Sequence, residues 1–363
     1  SCEGFSVDVA SEGELRAALY GGTPPDRIHV HGNAKTDSLL ALCDSLKVGT
    51  VVVDHVGELR RLPAGVPVLL RLAPGVDPRT DAKISTGQLD TKFGFAMADG
   101  QAPDAVRETL RLGHRLEGFH CHVGSQTRDP EVQARAGEIL ARFAVTVLEE
   151  TGFRTERINV GGGRAARYVD EEPVDVRQYA RTISARMRAV LGPAGLDPIL
   201  EQEPGRSVIA EAGVTLYSVM AIKTVPLPDG PKRYAAVDGG LSDNLRPALY
   251  GARYDVSRVG GWEYVTDGPG AAYGAHPATF TVSGAHCETD TLFPDVELPS
   301  DLAPGDLLQV LSTGAYHSAM ASNYNRFLRA PTLLRRPDGS FDEIQRRERW
   351  EEICARDVIL PDL

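Results

Sequence analysis

The feature that most constrains this chain is a regular alternation of short β-rich runs and longer helical patterns through its first half. Strand-like runs occupy Phe5–Ala10, Ile28–Gly32, Thr50–Asp54, Val66–Leu72, Leu116–Val123, Arg157–Val160 and Pro198–Gln202. Helical patterns fall between them at Asp37–Leu46, Val56–Leu62, Gln101–Leu112, Pro130–Thr151 and Val176–Leu191. Another helix starts at Ser11, where Ser-Glu-Gly-Glu resembles a capping box. A longer loop runs from Ala73 to Phe95. Strict alternation of this kind predicts parallel strands covered by helices.

Two architectures satisfy that pattern. The polar residues gather at the C-terminal ends of successive strands: His31 and Asn33, Asp54, Arg71, His120 and His122, Gly161–Gly163, Glu203 and Arg206. A (β/α)₈ barrel builds its active site there. A doubly wound open sheet normally carries its Gly-rich turn after the first strand, whereas here it follows the sixth. The barrel is therefore the favoured reading. After Ala212 the helical patterns stop, and Val214–Lys223, Tyr234–Asp238, Thr279–Ser283 and Leu307–Val310 read as strands among Gly/Pro turns. The expected organisation is α/β plus β: a barrel over 1–210 and a β-rich domain over 211–363, with a site-lining helical segment near 314–328. Seven barrel strands are found where eight are needed. The sequence opens on Ser1, and the missing strand is expected to be the first.

Composition narrows the function classes. The 363 residues suit two domains, or a barrel with an appendage. With 39 basic and 50 acidic side chains the net charge is −11, which argues against nucleic acid or an anionic membrane as partner. No run approaches the roughly 20 apolar residues of a membrane span. Five widely spaced cysteines (Cys2, Cys43, Cys121, Cys287, Cys354) form no C-x-x-C pair, so neither a disulfide framework nor a zinc site is expected. A reducing, cytoplasmic compartment is the expectation. Only six lysines occur (Lys35, Lys47, Lys83, Lys92, Lys223, Lys232), so chemistry that needs an amine has few candidates.

Each motif admits a functional and a structural reading. Gly161-Gly162-Gly163 lets backbone N–H groups converge on a phosphate, or makes a tight turn. Glu203-Pro204-Gly205-Arg206 places a carboxylate and a guanidinium at the active face, or forms a surface ion pair. In the His120–Gln126 stretch, strand alternation puts both histidines on one side. They suit a metal pair, stacking on a flat cofactor, or core packing, and no acidic third ligand is local. Cys287, between His286 and Glu288, is either a buried packing residue or a proton donor. The polar loops Asp238–Asn244, Arg246–Tyr250, Gly314–His317 and Ala321–Asn325 are rich enough in hydrogen-bonding groups to line a site.

Taken in order, HGNAK, ISTGQLDTKFGF, HCHVGSQ, NVGGG, EPGRSVIAEAG, AVDGGLSDNLRPALYGARY, HCE and TGAYHSAMASNYNR resemble the diaminopimelate decarboxylase family. That family belongs to the fold-type III pyridoxal-phosphate-dependent decarboxylases, with the ornithine and arginine enzymes. The resemblance implies a (β/α)₈ barrel followed by a β domain, and pyridoxal 5'-phosphate as the electron sink for decarboxylation. It implies that Glu203 holds the pyridine nitrogen protonated and that His122 stacks on the ring. Ser125, Gly161, Gly162 and Gly163 would grip the phosphate, helped by Gly205 and Arg206, with Tyr316 also at the cofactor. Arg206, Arg246, Tyr250, Glu288 and Tyr316 match the family's substrate-binding set. Such a set suits a substrate whose far end carries a carboxylate and an amine, as meso-2,6-diaminopimelate does. The resemblance further implies a homodimer with shared sites, Cys287 and Glu288 reaching the partner's site and Cys287 donating the proton.

The chain departs from the family pattern in places. HGNAK stands for HGNNK, Arg164-Ala-Ala-Arg167-Tyr168 for an apolar Gly-containing segment, and Cys-Glu-Thr-Asp for Cys-Glu-Ser-Gly-Asp. No Tyr-Ala-x-Lys-Ala pattern of the family's Schiff-base lysine occurs, and Lys35 matches a different lysine. The missing strand and the missing lysine are expected to lie in one segment upstream of Ser1. A chain starting at Ser1 is expected to be poorly soluble and to lack the absorbance of a lysine-bound cofactor. The alternatives are a related decarboxylase of another free or carrier-linked amino acid, and a lysine-less, non-catalytic paralogue that binds a partner.

Overall fold

In a computed structural model the structure describes residues 4–76, 92–260, 276–288 and 291–358. Cys2, Lys83, most of ISTGQLDTKFGF and the Thr-Asp that follows Cys287-Glu288 lie outside the described residues. The chain divides into two compact units, Ser1–Ala165 with Val174–Gly205, and Ala166–Pro173 with Arg206–Leu363.

The first unit is built on a parallel sheet. Its strands are β1 (Val7–Val9), β2 (Ile28–Val30), β3 (Thr50–Val53), β4 (Pro67–Ala73), β5 (Phe95–Ala96), β6 (Arg115–His120), β7 (Arg157–Asn159) and β8 (Ile199–Glu201). They pair in the order β1-β2-β3-β4-β6-β7-β8, with β5 beside β4. Spatial order follows chain order without the reversal of a doubly wound sheet, so the sheet is of the curled barrel type. Every residue of β2 and β3 is buried, as parallel strands covered on both faces require. The expected strands are present; β4 keeps its expected length, shifted by one residue, and the others are shorter.

The helices begin where side chains satisfy the orphan N–H groups of the first turn. Helix α1 (Glu12–Tyr20) starts with Ser11 Oγ accepting from Glu14 N, while the Glu14 carboxylate accepts from Ala10 N. Helix α2 (Asp37–Leu46) is capped by Thr36, and α3 spans Val56–Arg61. Helix α4 (Gln101–Arg111) precedes the two long helices, α5 (Pro130–Thr151) and α6 (Val176–Leu191), capped by Asp129 and Asp175. Their inner faces, including Leu140, Ala144, Ile183 and Met187, join the core under the sheet.

The second unit holds a mixed six-stranded sheet. Its strands are β9 (Val214–Val225), β10 (Lys232–Val237), β11 (Val256–Arg258), β12 (Pro277–Ser283), β13 (Thr291–Pro299) and β14 (Leu307–Leu311), in the order β11-β14-β9-β10-β12-β13. Tyr217, Val219, Val237, Phe280, Val282, Leu308 and Val310 form its core. A two-stranded sheet pairs β15 (Thr332–Arg335) with β16 (Phe341–Gln345). Contrary to the sequence reading, helices do not stop at Ala212: short ones span Arg246–Tyr250 and Trp350–Cys354. The expected helical segment near 314–328 is two single 3-10 turns, Ser318–Met320 and Tyr324–Arg326. Left-handed backbone at Tyr316, Asn325 and Arg326 is incompatible with a continuous helix there.

Candidate active site

In the first unit the strand ends converge on one carboxylate. Glu203 follows β8, and its side chain is 14% exposed. One oxygen, Oε2, accepts from His120 Nε2 at 3.2 Å. The other, Oε1, is buried 3.2 Å from His120 Nε2 and 3.4 Å from His31 Nε2 but makes no hydrogen bond with a described residue. Burial alone would raise the Glu203 carboxyl; His120, His31 and His122 outweigh it and bring it down to about 2. Burial in turn lowers His120 below the ordinary imidazole range. At neutral pH the site therefore holds a glutamate anion beside the neutral imidazoles of His120 and His122. Asp8, on β1, stands 3.6 Å from His31 Nε2.

His122 differs from His120. Its ring lines an open cavity of about 430 Å³ together with Arg71, Phe93, Gly124, Ser125 and Gln126. Gly162 N–H donates to its Nδ1 at 3.2 Å, which leaves the proton of the neutral ring on Nε2. Desolvation by the surrounding protein, followed by the Arg71 charge, lowers this imidazole to about 4. The Arg71 guanidinium lies 3.7 Å from Asp54 and 4.2 Å from the Phe93 ring centroid.

The three glycines are dictated by close packing of strand ends. A Cβ on Gly161 would sit 2.4 Å from Cys121 O, one on Gly162 2.1 Å from Glu203 O, and one on Gly163 2.1 Å from Gly124 O. Gly161 N–H donates to Asn159 Oδ1 at 2.8 Å, so two of the three amides, with that of Gly162, are used within the protein. The loop thus serves first to bring the ends of β6, β7 and β8 close together. Lys35 is also part of this frame. Its buried ammonium donates to Gly32 O, Val52 O and Glu58 Oε1 at 2.6, 2.7 and 3.0 Å. Glu58 Oε2 accepts the Asp54 N–H at 2.8 Å.

The second unit carries the remaining residues singled out from sequence. Arg206 donates to Tyr168 Oη at 2.9 Å and lies over the Tyr316 ring, 4.6 Å to its centroid. Arg246 is buried and donates to Tyr254 Oη at 2.7 Å, while Tyr250 and Tyr316 are exposed. Cys287 and Glu288 are exposed, and Tyr324 donates to the Glu288 carboxylate. His286, buried beside them, bridges Ser242 Oγ (2.9 Å) and Asn325 Oδ1 (3.0 Å).

Sequence reasoning did not single out Asp8, Glu58, Asn159, Tyr168 or Tyr254 for a role. The acidic residue inside the apolar run of β1 was the one local signal for Asp8. His31, His120 and Glu203 also present three metal-type donor atoms within 4.8 Å of one another. This set is not the His120–His122 pair weighed from sequence: His31 stands in place of His122, and the carboxylate is Glu203, just past β8. Pyridoxal phosphate suits the chemistry of these groups: the anionic Glu203, with Oε1 free of hydrogen bonds, fits a protonated ring nitrogen, and the His122 ring faces an open cavity that Glu203 itself does not line.

A barrel-type parallel sheet with a carboxylate anion at its C-terminal ends, in a chain with a separate β unit, defines a barrel-plus-β-domain enzyme. The family model for the pyridoxal-binding domain of pyridoxal-dependent decarboxylases matches residues 1–210, and the chain belongs to this family. The cofactor of the family is pyridoxal phosphate.

Relatives make the likeness more particular. A diaminopimelate decarboxylase of Actinosynnema pretiosum is 43% identical over 98% of this chain and 78% of its own length. That of Bacillus subtilis is 38% identical over 98% and 80%. The crystal structure of diaminopimelate decarboxylase from M. jannaschi superposes with a TM-score of 0.87 at 30% identity, covering 99% of this chain and 80% of that one. The Helicobacter pylori enzyme, solved with L-lysine, gives 0.80 at 29% identity, over 96% and 83%.

Proposed function

We propose that this protein decarboxylates meso-2,6-diaminopimelate to L-lysine and CO₂ with pyridoxal 5'-phosphate, a step of lysine biosynthesis. The observation that carries the reading is Glu203: an anion beside the neutral imidazoles of His120 and His122, with one buried oxygen that makes no hydrogen bond. Such a group keeps a ring nitrogen protonated. The bound cofactor supplies an electron sink for the charge left when CO₂ departs. The relatives' shared name and their coverage of nearly the whole chain support the substrate.

The chain's own residues divide the work. Glu203 holds the ring nitrogen, and His120 and His31 hold Glu203. His122, oriented by the Gly162 amide, offers its ring face to a flat partner. Ser125, Gly161, Gly162, Gly163, Gly205 and Arg206 serve the phosphate, with Tyr316 beside the cofactor. Gly161 and Gly162 act through loop shape, since their amides are already used. Arg206, Arg246, Tyr250, Tyr316 and Glu288 bind the distal amino-acid end of the substrate. Cys287 delivers the proton to the carbon that lost CO₂. Exposure of Cys287 and Glu288 in the second unit supports their serving a partner's site in a cytoplasmic homodimer. The domain division we propose is a barrel over 1–210 and a β domain over 211–363. No helix among the described residues is long and apolar enough to cross a membrane.

The test is turnover by the holoenzyme on a panel of amino acids, with CO₂ and product read by mass spectrometry. meso-Diaminopimelate is expected to be the preferred substrate, giving L-lysine. Preference for ornithine, arginine or a carrier-linked amino acid overturns the reading.

A further inference from the structure

Two arginines of the second unit share one tyrosine that no assigned role covers. Tyr168 lies in Arg164–Tyr168, a segment that departs from the family pattern, and it is 5% exposed. Its hydroxyl accepts from Arg206 Nη1 at 2.9 Å. Its ring carries the Arg246 guanidinium, 4.8 Å from the centroid. Arg246 also donates to Tyr254 Oη at 2.7 Å, and the Tyr254 ring meets that of Tyr168 edge-on at 5.3 Å. The tyrosine is itself fixed: its N–H donates to Glu171 Oε2 at 2.9 Å and its carbonyl accepts from Asp255 N at 3.0 Å.

The chemistry of these contacts is selective. A buried guanidinium is ordinarily neutralised by a carboxylate, because removing its charge from water is costly. Arg246 is 7% exposed, and none of the ion pairs formed among the described residues involves it. Phenol oxygens and ring faces hold it instead. Those contacts fix its position through a hydrogen bond and a cation–π interaction and leave its charge uncancelled. A guanidinium so held is pre-organised for an anion brought by the ligand, and a planar fork matches a carboxylate.

We infer that Tyr168 is a positioning residue for substrate specificity: one side chain sets the spacing of Arg206 and Arg246, so that together they select a ligand bearing a distal carboxylate. The inference deepens the diaminopimelate reading and rests on it. Decarboxylation removes one carboxylate from diaminopimelate, so L-lysine keeps the other and still engages the two arginines. Cadaverine, a diamine of the same chain length with no carboxylate, does not.

The test compares L-lysine and cadaverine as inhibitors of the holoenzyme, in wild type, Tyr168→Phe and Tyr168→Leu. Tyr168→Phe keeps the ring beneath Arg246 and removes the acceptor for Arg206. It is expected to raise KM for diaminopimelate and the inhibition constant of L-lysine about tenfold, with kcat and the cadaverine constant within about twofold. Tyr168→Leu, which removes both contacts, is expected to raise the same two constants further, by about a hundredfold in all. Melting temperatures measured alongside separate positioning from folding. An unchanged L-lysine constant in Tyr168→Phe overturns the inference, and so does an equal rise for L-lysine and cadaverine. A wild type that turns over another amino acid and ignores diaminopimelate removes the functional reading itself, which the variant comparison does not do.

Discussion

His120 and Glu203 meet 3.2 Å apart at the ends of strands that are not neighbours in the chain, with His120 1% exposed and donating from Nε2. The imidazole Nδ1 has no partner among the described residues, and the Glu203 Oε1 atom has no donor. Unpaired atoms of this kind are costly in a protein interior, and they concentrate at sites shaped for a ligand. The pair makes Glu203 an anion with one oxygen reserved.

Glu203→Gln replaces that anion with a neutral amide of the same shape. kcat is expected to fall by about 10²–10³, the scale of removing one pre-organised electrostatic contact. Steady-state turnover checks it, with cofactor content measured by absorbance after desalting. Unchanged turnover in a cofactor-loaded Gln variant removes Glu203 from the mechanism.

Gly162→Ala tests the packing of the strand ends. Its Cβ would stand 2.1 Å from Glu203 O, so the β8 terminus must shift. A displacement of about 1 Å at a reacting centre costs roughly 10²-fold, and kcat/KM is expected to fall on that scale. The loss should exceed that of Gly192→Ala, whose Cβ meets nothing within 4 Å. Equal activity in the two variants contradicts the proposal.

Acid is expected to destabilise the fold from pH 6.5 downward. His120 is lowered by burial, and His317 is lowered from 6.5 to about 4 by burial. A histidine lowered in the folded state favours the neutral form, so the unfolded chain binds more protons below pH 6.5. Its stabilising contribution is complete above pH 6.5 and declines as pH falls toward the folded value. Glu203, lowered to about 2, adds a loss only between about pH 4.5 and 2. The His317 share of that loss is about 3 kcal/mol at pH 4. Urea denaturation from pH 7.5 to 4.5 should show the decline, with a shallower slope in His317→Gln.

Lys35→Met breaks a fully buried ion pair whose side chains are 1% and 0% exposed. Removing one partner strands the Glu58 charge and is expected to cost about 3–5 kcal/mol. Denaturant midpoints measure it. Adding Glu58→Leu should recover part of the loss, short of wild type, because the Asp54 N–H then loses its acceptor.

Much of the architecture was legible in the order of residues. Helices Asp37–Leu46, Pro130–Thr151 and Val176–Leu191 have the bounds their patterns predict, since capping residues and apolar spacing act within a turn or two. The strand order of the barrel sheet follows from the same alternation. The stretch near 314–328 was less legible. Its polar residues suit a helix surface, and left-handed backbone at Tyr316 and Asn325 breaks it into turns.

Among the proposed site residues, His122, Ser125, Gly161 to Gly163, Glu203, Arg206 and Arg246 stand inside recognisable motifs and can be picked out one by one from the sequence. Their couplings were not. Nothing in sequence joins Lys35 to Glu58, Asp8 to His31, or Tyr168 to Arg246. Each contact spans many residues and exists only after strands or loops are brought side by side.

By itself the sequence determined the alternation, the glycines at the strand ends and the identity of the charged groups, because these depend on local backbone and side-chain chemistry. Only the tertiary structure decided that Glu203 is an anion beside the neutral imidazoles of His120 and His122 and that Arg246 is held by phenols. Protonation and pairing depend on burial and on neighbours a few ångströms away, and the fold alone sets those distances.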